Sequence, residues 1–264
     1  MPAASDDALF SLDQFIKAWR MIGTAVPDTV NASEPGLECS FTGLPIAFFN
    51  MAFVTPSVSD AGGLRDAASR AGEWAAGQGA PWFLAVTHEV SGEGAELADL
   101  GFVPAVKLTG MIADDVAPAS RTPEGLDLIA PYDDATSAPL SDINAAAYGI
   151  DMGGSDSPMG AYSFWRNHYG AVGMKDNRPV SCTATMMVDG YRYVAFVATL
   201  PGERRKGYAD AVMRHSLELA AAAHGRVRTV LHATEDGRPV YERMGYRSVS
   251  THSLFIEARF LEGH

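Results

Sequence analysis

Cysteine is nearly missing from this chain. Cys39 and Cys182 are the only two among 264 residues, far apart and without a second ligand at metal spacing. That excludes a disulfide framework and a zinc motif, and two buried free thiols in a reducing cytoplasm are expected. Long apolar runs are absent as well, so no bilayer span is read. The start, MPAASDDALF, has neither the basic region nor the apolar core of a secretion signal. Without one, the sequon Asn31-Ala32-Ser33 carries little weight. Positive charge is scarce: 20 Lys and Arg stand against 32 Asp and Glu, a net −12. This argues against a nucleic-acid partner and leans toward a cationic substrate such as an amine.

What is present is apolar content, 47% of the chain, ample for a folded core. It is organised around residues 191–246. Tyr191 to Thr199 is aromatic and β-branched and reads as a buried strand. Pro201-Gly202 turns the chain. Arg204-Arg205-Lys206-Gly207-Tyr208-Ala209 follows, and then Ala211 to Ala223 reads as a helix. Strand, basic glycine-containing turn and helix in that order make an anion cradle, because unpaired N–H groups at the helix start face the anion. Gly207 lets backbone approach closely, and the three cations add charge beside phosphate oxygens. No Lys-Ser or Lys-Thr follows the glycine, so this is no nucleotide P-loop. No G-x-G-x-x-G is present for a dinucleotide fold.

The stretch resembles the pyrophosphate loop of the GCN5-related N-acetyltransferases (GNAT), Gln/Arg-x-x-Gly-x-Gly/Ala, filled here by Arg204, Gly207 and Ala209. Downstream, Arg228 to Thr234 reads as a strand and Gly237 to Met244 as a short helix. Tyr241-Glu242-Arg243-Met244-Gly245-Tyr246 is similar to that family's Tyr-x-x-x-Gly-Phe signature, with Tyr246 in place of Phe.

Taken in order, Ala8 to Met21 reads as a helix with Ser5 or Asp6 as cap. Gly36 to Thr55 reads as two strands, Asp60 to Ala76 as a helix and Pro81 to Thr87 as a strand. Gly92 to Leu100 reads as a short helix ended by Gly101, and Val103 to Ala113 as a strand. Ala52-Phe53-Val54 recurs as Ala195-Phe196-Val197, and Gly101-Phe102 as Gly245-Tyr246, 143 and 144 residues on. The order of elements recurs too. The expected fold is mixed α/β (α+β with a mixed sheet): a degenerate GNAT-like copy over 1–113, a linker over 114–123 and a GNAT domain over 124–264. The first copy has Asp60-Ala61-Gly62-Gly63 in place of the basic turn and Leu97 opposite Tyr241. In the second copy, Gly125 to Ala130 reads as a strand, and Asp134 to Tyr148 and Met159 to Asn167 as helices. Ala171 to Val180 and Ser181 to Asp189 read as strands turning near Asn177-Arg178-Pro179. Phe164, Trp165, Tyr162 and Tyr169 form either core packing or an acceptor pocket.

The resemblance implies acetyl transfer from acetyl-CoA, without a metal, to a small-molecule amine or a peptide. It implies backbone from Val197, Ala198 and Thr199 beside the thioester carbonyl. It also implies Arg204, Arg205, Lys206, Gly207, Tyr208 and Ala209 at the pyrophosphate, Thr234 on the pantetheine arm and Tyr241 as the acid toward the leaving thiolate. The loop Gly149 to Pro158 would border the acceptor. Many family members carry a Glu on the strand before the cradle. Tyr191 to Leu200 holds no acid, which leaves the base open among Asp189, Tyr193, His168 and Asp151, while His232, a lone strand histidine, reads more as structural than catalytic. Two rivals stay open: a non-catalytic acyl-CoA-binding regulator, and transfer to a non-amine acceptor or acyl–amine ligation in thiol biosynthesis. A cytoplasmic monomer or homodimer is expected, with no membrane partner.

Overall fold

Ser5 has the extended backbone of an N-cap, and its Oγ accepts from the Ala8 N–H, which starts a 19-residue helix. In the computed structural model, which describes residues 4–58, 60–119, 123–150 and 158–261, eleven strands and seven α-helices follow from such local signals. The strands are β1 (Val30–Glu34), β2 (Leu37–Phe41), β3 (Asn50–Val54), β4 (Phe83–Thr87), β5 (Phe102–Ala113), β6 (Leu126–Ile129), β7 (Tyr169–Lys175), β8 (Arg178–Val188), β9 (Tyr191–Thr199), β10 (Thr229–Ala233) and β11 (Arg247–Glu257). The helices are α1 (Asp6–Thr24), α2 (Ala61–Ala76), α3 (His88–Ser91), α4 (Asp134–Tyr148), α5 (Tyr162–Trp165), α6 (Tyr208–His224) and α7 (Arg238–Arg243).

The chain forms two units. The first takes residues 1–111, 232–238 and 248–264; the second takes 112–231 and 239–247. In the first, the strand order is β1-β2-β3-β4-β11-β5. β1 to β3 form an antiparallel meander, β3 and β4 run parallel, and β11 is antiparallel to β4 with His252 opposite Thr87. The last strand in sequence therefore lies inside the unit built mainly from the first residues. Leu64, Ala67, Ala68, Ala71 and Ala75 recur at helical spacing on α2 and pack into a core with Leu37, Phe41, Val54, Trp82 and Leu84. Asp60 caps α2, its carboxylate accepting from the Gly63 N–H at 2.8 Å.

In the second unit the order is β10-β9-β8-β7-β6. β6 to β9 are antiparallel, and β9 and β10 run parallel. The β7–β8 turn falls at Asp176 and Asn177, both with positive φ, one residue before the expected Asn177-Arg178-Pro179. Asp and Asn tolerate that left-handed pair, and it matches the strand twist of a tight hairpin. Successive β8 residues face opposite sides of the sheet. Cys182 meets Asn144 of α4 while Thr185 meets Ser216 of α6, so the two helices cover opposite faces. The expected helix over 159–167 is only the single turn of α5, preceded by a 3-10 turn at Pro158–Gly160.

Candidate active site

The site begins with a fault in β9. Cys182 pairs with Ala198 and Ala184 pairs with Ala195, so Phe196 and Val197 together oppose the single residue Thr183. This is a β-bulge, and Phe196 takes a left-handed φ of 56°. α4 repairs the ladder. Asn144 Nδ2 donates to the Phe196 carbonyl at 3.3 Å, and the Tyr148 hydroxyl donates to the Val197 carbonyl at 2.9 Å. The two side chains are four residues apart and share a helix face. Beneath the bulge, Trp165 meets the Phe196 ring edge-on at 5.2 Å, and its own Nε1–H is spent on the Met159 carbonyl. Phe164 and Trp165 are buried core; Tyr169 instead shares a hydrogen bond with His224 at 2.7 Å.

β9 pairs with β10 only at its start, through Arg192–Thr229 and Tyr193–Val230. Further along, Ser181 Oγ donates to the Ala198 carbonyl and bonds Thr199 Oγ1 at 2.8 Å, which fixes the strand end before the turn at Pro201–Glu203. Gly207 is the N-cap of α6 at φ 87°, a left-handed position that glycine adopts without strain. It brings no side-chain cap, so no capping side chain takes up the first-turn N–H groups of Tyr208 and Ala209. Tyr208 is buried under them. Arg205 is also left-handed, at φ 64°. Two expected phosphate cations have partners of their own. Arg204 donates to the carbonyls of Thr199 at 3.3 Å and Ala147 at 2.9 Å, which ties the end of α4 to the end of β9. Lys206 pairs with Glu203 at 2.7 Å, a bond that raises the ammonium pKa and lowers that of the carboxylate.

Tyr241 lies on α7, 8% exposed, its ring 6.2 Å from that of Tyr246. Burial first, then the neighbouring Tyr148 and Tyr246, push its phenol above the ordinary range. Tyr148 exposes 53% of its surface, yet its hydroxyl is covered against β9, and that desolvation lifts it to about 12. Gly245 closes the signature at φ 92°, where a Cβ would press on the Ala117 backbone at 3.3 Å. Thr234 belongs to the first unit, where its Oγ1 accepts from the Gly237 N–H at 3.3 Å.

Of the base candidates, Tyr193 is buried and pushed far above neutral, so it holds its proton. Asp189 sits in the β8–β9 turn, and ten residue steps of about 3.3 Å put it roughly 30 Å from the Thr199 end. His232 lies in the first unit, bonded to Ser11 Oγ at 3.1 Å and stacked on Phe15 at 4.0 Å. His168 is held below the usual imidazole range by desolvation, and its buried Nδ1 has no hydrogen-bond partner. It is therefore neutral at pH 7. Asp151 and nearly all of the Gly149–Pro158 loop lie outside the described residues. No group of three His, Cys, Asp or Glu that could hold a metal occurs among the described residues.

Asn144 and Tyr148 were not legible as site residues. The α4 boundaries follow from its sequence, but reaching a bulge carbonyl is a tertiary fact.

Residues 164–248 match the model of the Acetyltransferase (GNAT) domain. The rest of the chain shares the fold of such proteins. A GCN5-related N-acetyltransferase from Kribbella flavida superposes with a TM-score of 0.71 at 16% identity, covering 94% of this chain and 95% of that one. A tandem GNAT protein from the clavulanic acid biosynthesis pathway gives 0.58 at 17% identity and 96% of both chains. A GCN5-related N-acetyltransferase from Sphaerobacter thermophilus gives 0.63 at 13%, covering 84% of this chain and 76% of that one. No curated protein matches. The C-terminal copy thus carries the GNAT domain within a tandem-type mixed α/β fold.

Proposed function

We propose that the C-terminal domain transfers an acetyl group from acetyl-CoA to a primary amine by direct attack. The observation that supports this is the contrast between two helix starts. α6 begins at Gly207 without a side-chain cap, whereas α2 carries its own anion there, the Asp60 carboxylate on the Gly63 N–H. In the first unit Val58 is also buried, and its carbonyl accepts from Ser91 Oγ at 2.8 Å, so that position is filled by protein. One copy offers an anion site and the other consumes it.

In this reading the N–H groups of Gly207, Tyr208 and Ala209 hold the pyrophosphate, with Arg204, Arg205 and Lys206 supplying field rather than a full set of direct contacts. Val197, Ala198 and Thr199 present β9 backbone to the thioester end. The amine nitrogen bonds to the acetyl carbon, the carbon–sulfur bond breaks, and Tyr241 holds a proton toward the departing sulfur. A raised phenol pKa favours hydrogen-bond donation over outright proton release. Among the described candidates, His168 is the base that is both neutral and unpartnered at its buried nitrogen.

Calorimetry tests the assignment. Acetyl-CoA is expected to bind one site per chain. Gly207→Asn, which tolerates a left-handed backbone, should weaken binding by about 10²-fold or more, on the order of 3 kcal/mol, with the unfolding transition retained. Two equal sites per chain, or parental affinity in the variant, would sink it. The absence of an acid on β9 supports a second reading, a non-turning-over acyl-CoA binder. Tight binding with no CoA release across a broad amine panel would favour that reading.

A further inference from the structure

The first unit contains a cleft of about 310 Å³ whose walls include Phe102, Phe255, Gly94, Lys107, His88 and Ser253. Inside it, His88 Nε2 and Ser253 Oγ are 2.7 Å apart. We propose that Ser253 and His88 form a second site, a nucleophile–base dyad that cleaves small carboxylic esters with a short apolar acyl group.

The geometry supplies what such a dyad needs. Both side chains are half-buried and line the same cleft, so the hydroxyl is reachable yet shielded. Desolvation holds His88 below the usual imidazole range, against the opposing pull of Glu89 and Glu93 and with the help of Lys107. A neutral ring can accept the serine proton at Nε2. The pair is clamped from both sides. The Glu89 carboxylate accepts the Thr251 N–H at 2.9 and 3.1 Å, which pins α3 to β11. Pairing of His252 with Thr87 fixes β11 against β4 one residue away from each partner. Gly94, at φ 76°, lets the loop lie against the Phe255 ring, where a Cβ would come within 2.8 Å. The cleft lies at the lower end of the volumes that hold small ligands, which suits a short acyl chain.

In the reaction, Ser253 Oγ adds to the ester carbonyl carbon while its proton passes to His88 Nε2. Lys107, which lines the same cleft, would supply positive charge for the developing oxyanion. The ester C–O bond then breaks, the alcohol leaves with the proton from His88, and the acyl group stays on Ser253. Water adds next, His88 takes its proton, and the carboxylic acid and free serine are released. Water is the only co-reactant.

The test uses the whole chain and a fluorophosphonate, which bonds only to activated serines, read by intact mass and peptide mapping. One adduct on Ser253 is expected, with labelling slowed about 10²-fold or more in His88→Gln. Hydrolysis of p-nitrophenyl acetate should fall in parallel and be lost in Ser253→Ala. The wild-type result does not depend on how the variants fold. Absence of an adduct, an adduct on another residue, or equal labelling in a folded His88→Gln would overturn the proposal. It stands apart from acetyl-CoA binding, which Gly207→Asn probes in the other unit.

Discussion

Two tyrosines of the second unit differ in what holds their hydroxyls. Tyr148 donates a hydrogen bond to the Val197 carbonyl and shapes the strand; Tyr241 has no such side-chain bond among those described, and the proposed reaction gives it the acid role. Tyr241→Phe keeps the buried ring and removes one oxygen. With an accepting amine in hand, kcat is expected to fall about 10²–10⁴-fold while acetyl-CoA affinity holds. Parental turnover with chemistry rate-limiting would remove Tyr241 from the mechanism. Because burial lifts its pKa above that of a free phenol, the group stays protonated through the alkaline range, so it should add no falling limb to the rate below about pH 10.

At the scale of elements, α4, β9 and α6 sit close to where sequence pattern places them. α4 spans Asp134–Tyr148 as expected, its start fixed by the Asp133–Thr136 capping box. The bulge at Phe196–Val197 was not legible. No glycine or proline marks it, and its cause is distributed: Trp165 below, Asn144 and Tyr148 beside, each from a distant segment. The short first strand β1 also escaped the reading, because its residues alternate between half-exposed and exposed and carry little apolar signal. Asn144 makes the dependence testable. It is 3% exposed and bonds the Leu140 and Phe196 carbonyls. Asn144→Ala leaves the bulge carbonyl of Phe196 with only the weak Cys182 thiol donor at 3.6 Å, so a loss of about 1–3 kcal/mol in unfolding free energy is expected from urea titration. An unchanged midpoint would show that the bulge holds itself.

For the whole molecule, the repeat was visible in the letters, but the placement of the last strand was not, since buried strands carry no local code for their neighbours. Its arrival in the first unit builds a polar chain there. Ser11, Ser250, His252 and Thr87 bond in series at 3.0, 2.8 and 3.0 Å around Gly110, where a Cβ would strike two of these hydroxyls. Burial holds His252 down to about 3. The unfolded chain, with histidine near 6.5, binds the proton first. Stability is therefore full above about pH 6.5 and is lost as pH falls toward 3. Between pH 7 and 5 this histidine should cost about 2 kcal/mol, seen as a falling urea midpoint. His252→Gln should flatten that slope; an equally steep slope in the variant would assign it elsewhere.

The position of β11 between β4 and β5 has a consequence for biosynthesis. As the chain emerges from the ribosome, residues 1–113 contain β4 and β5 but not the strand that stands between them. That half lacks its β11 pairing until residues 248–257 are released. The domain made first is finished last, and a nascent chain halted before Ser248 would hold neither edge of that gap together.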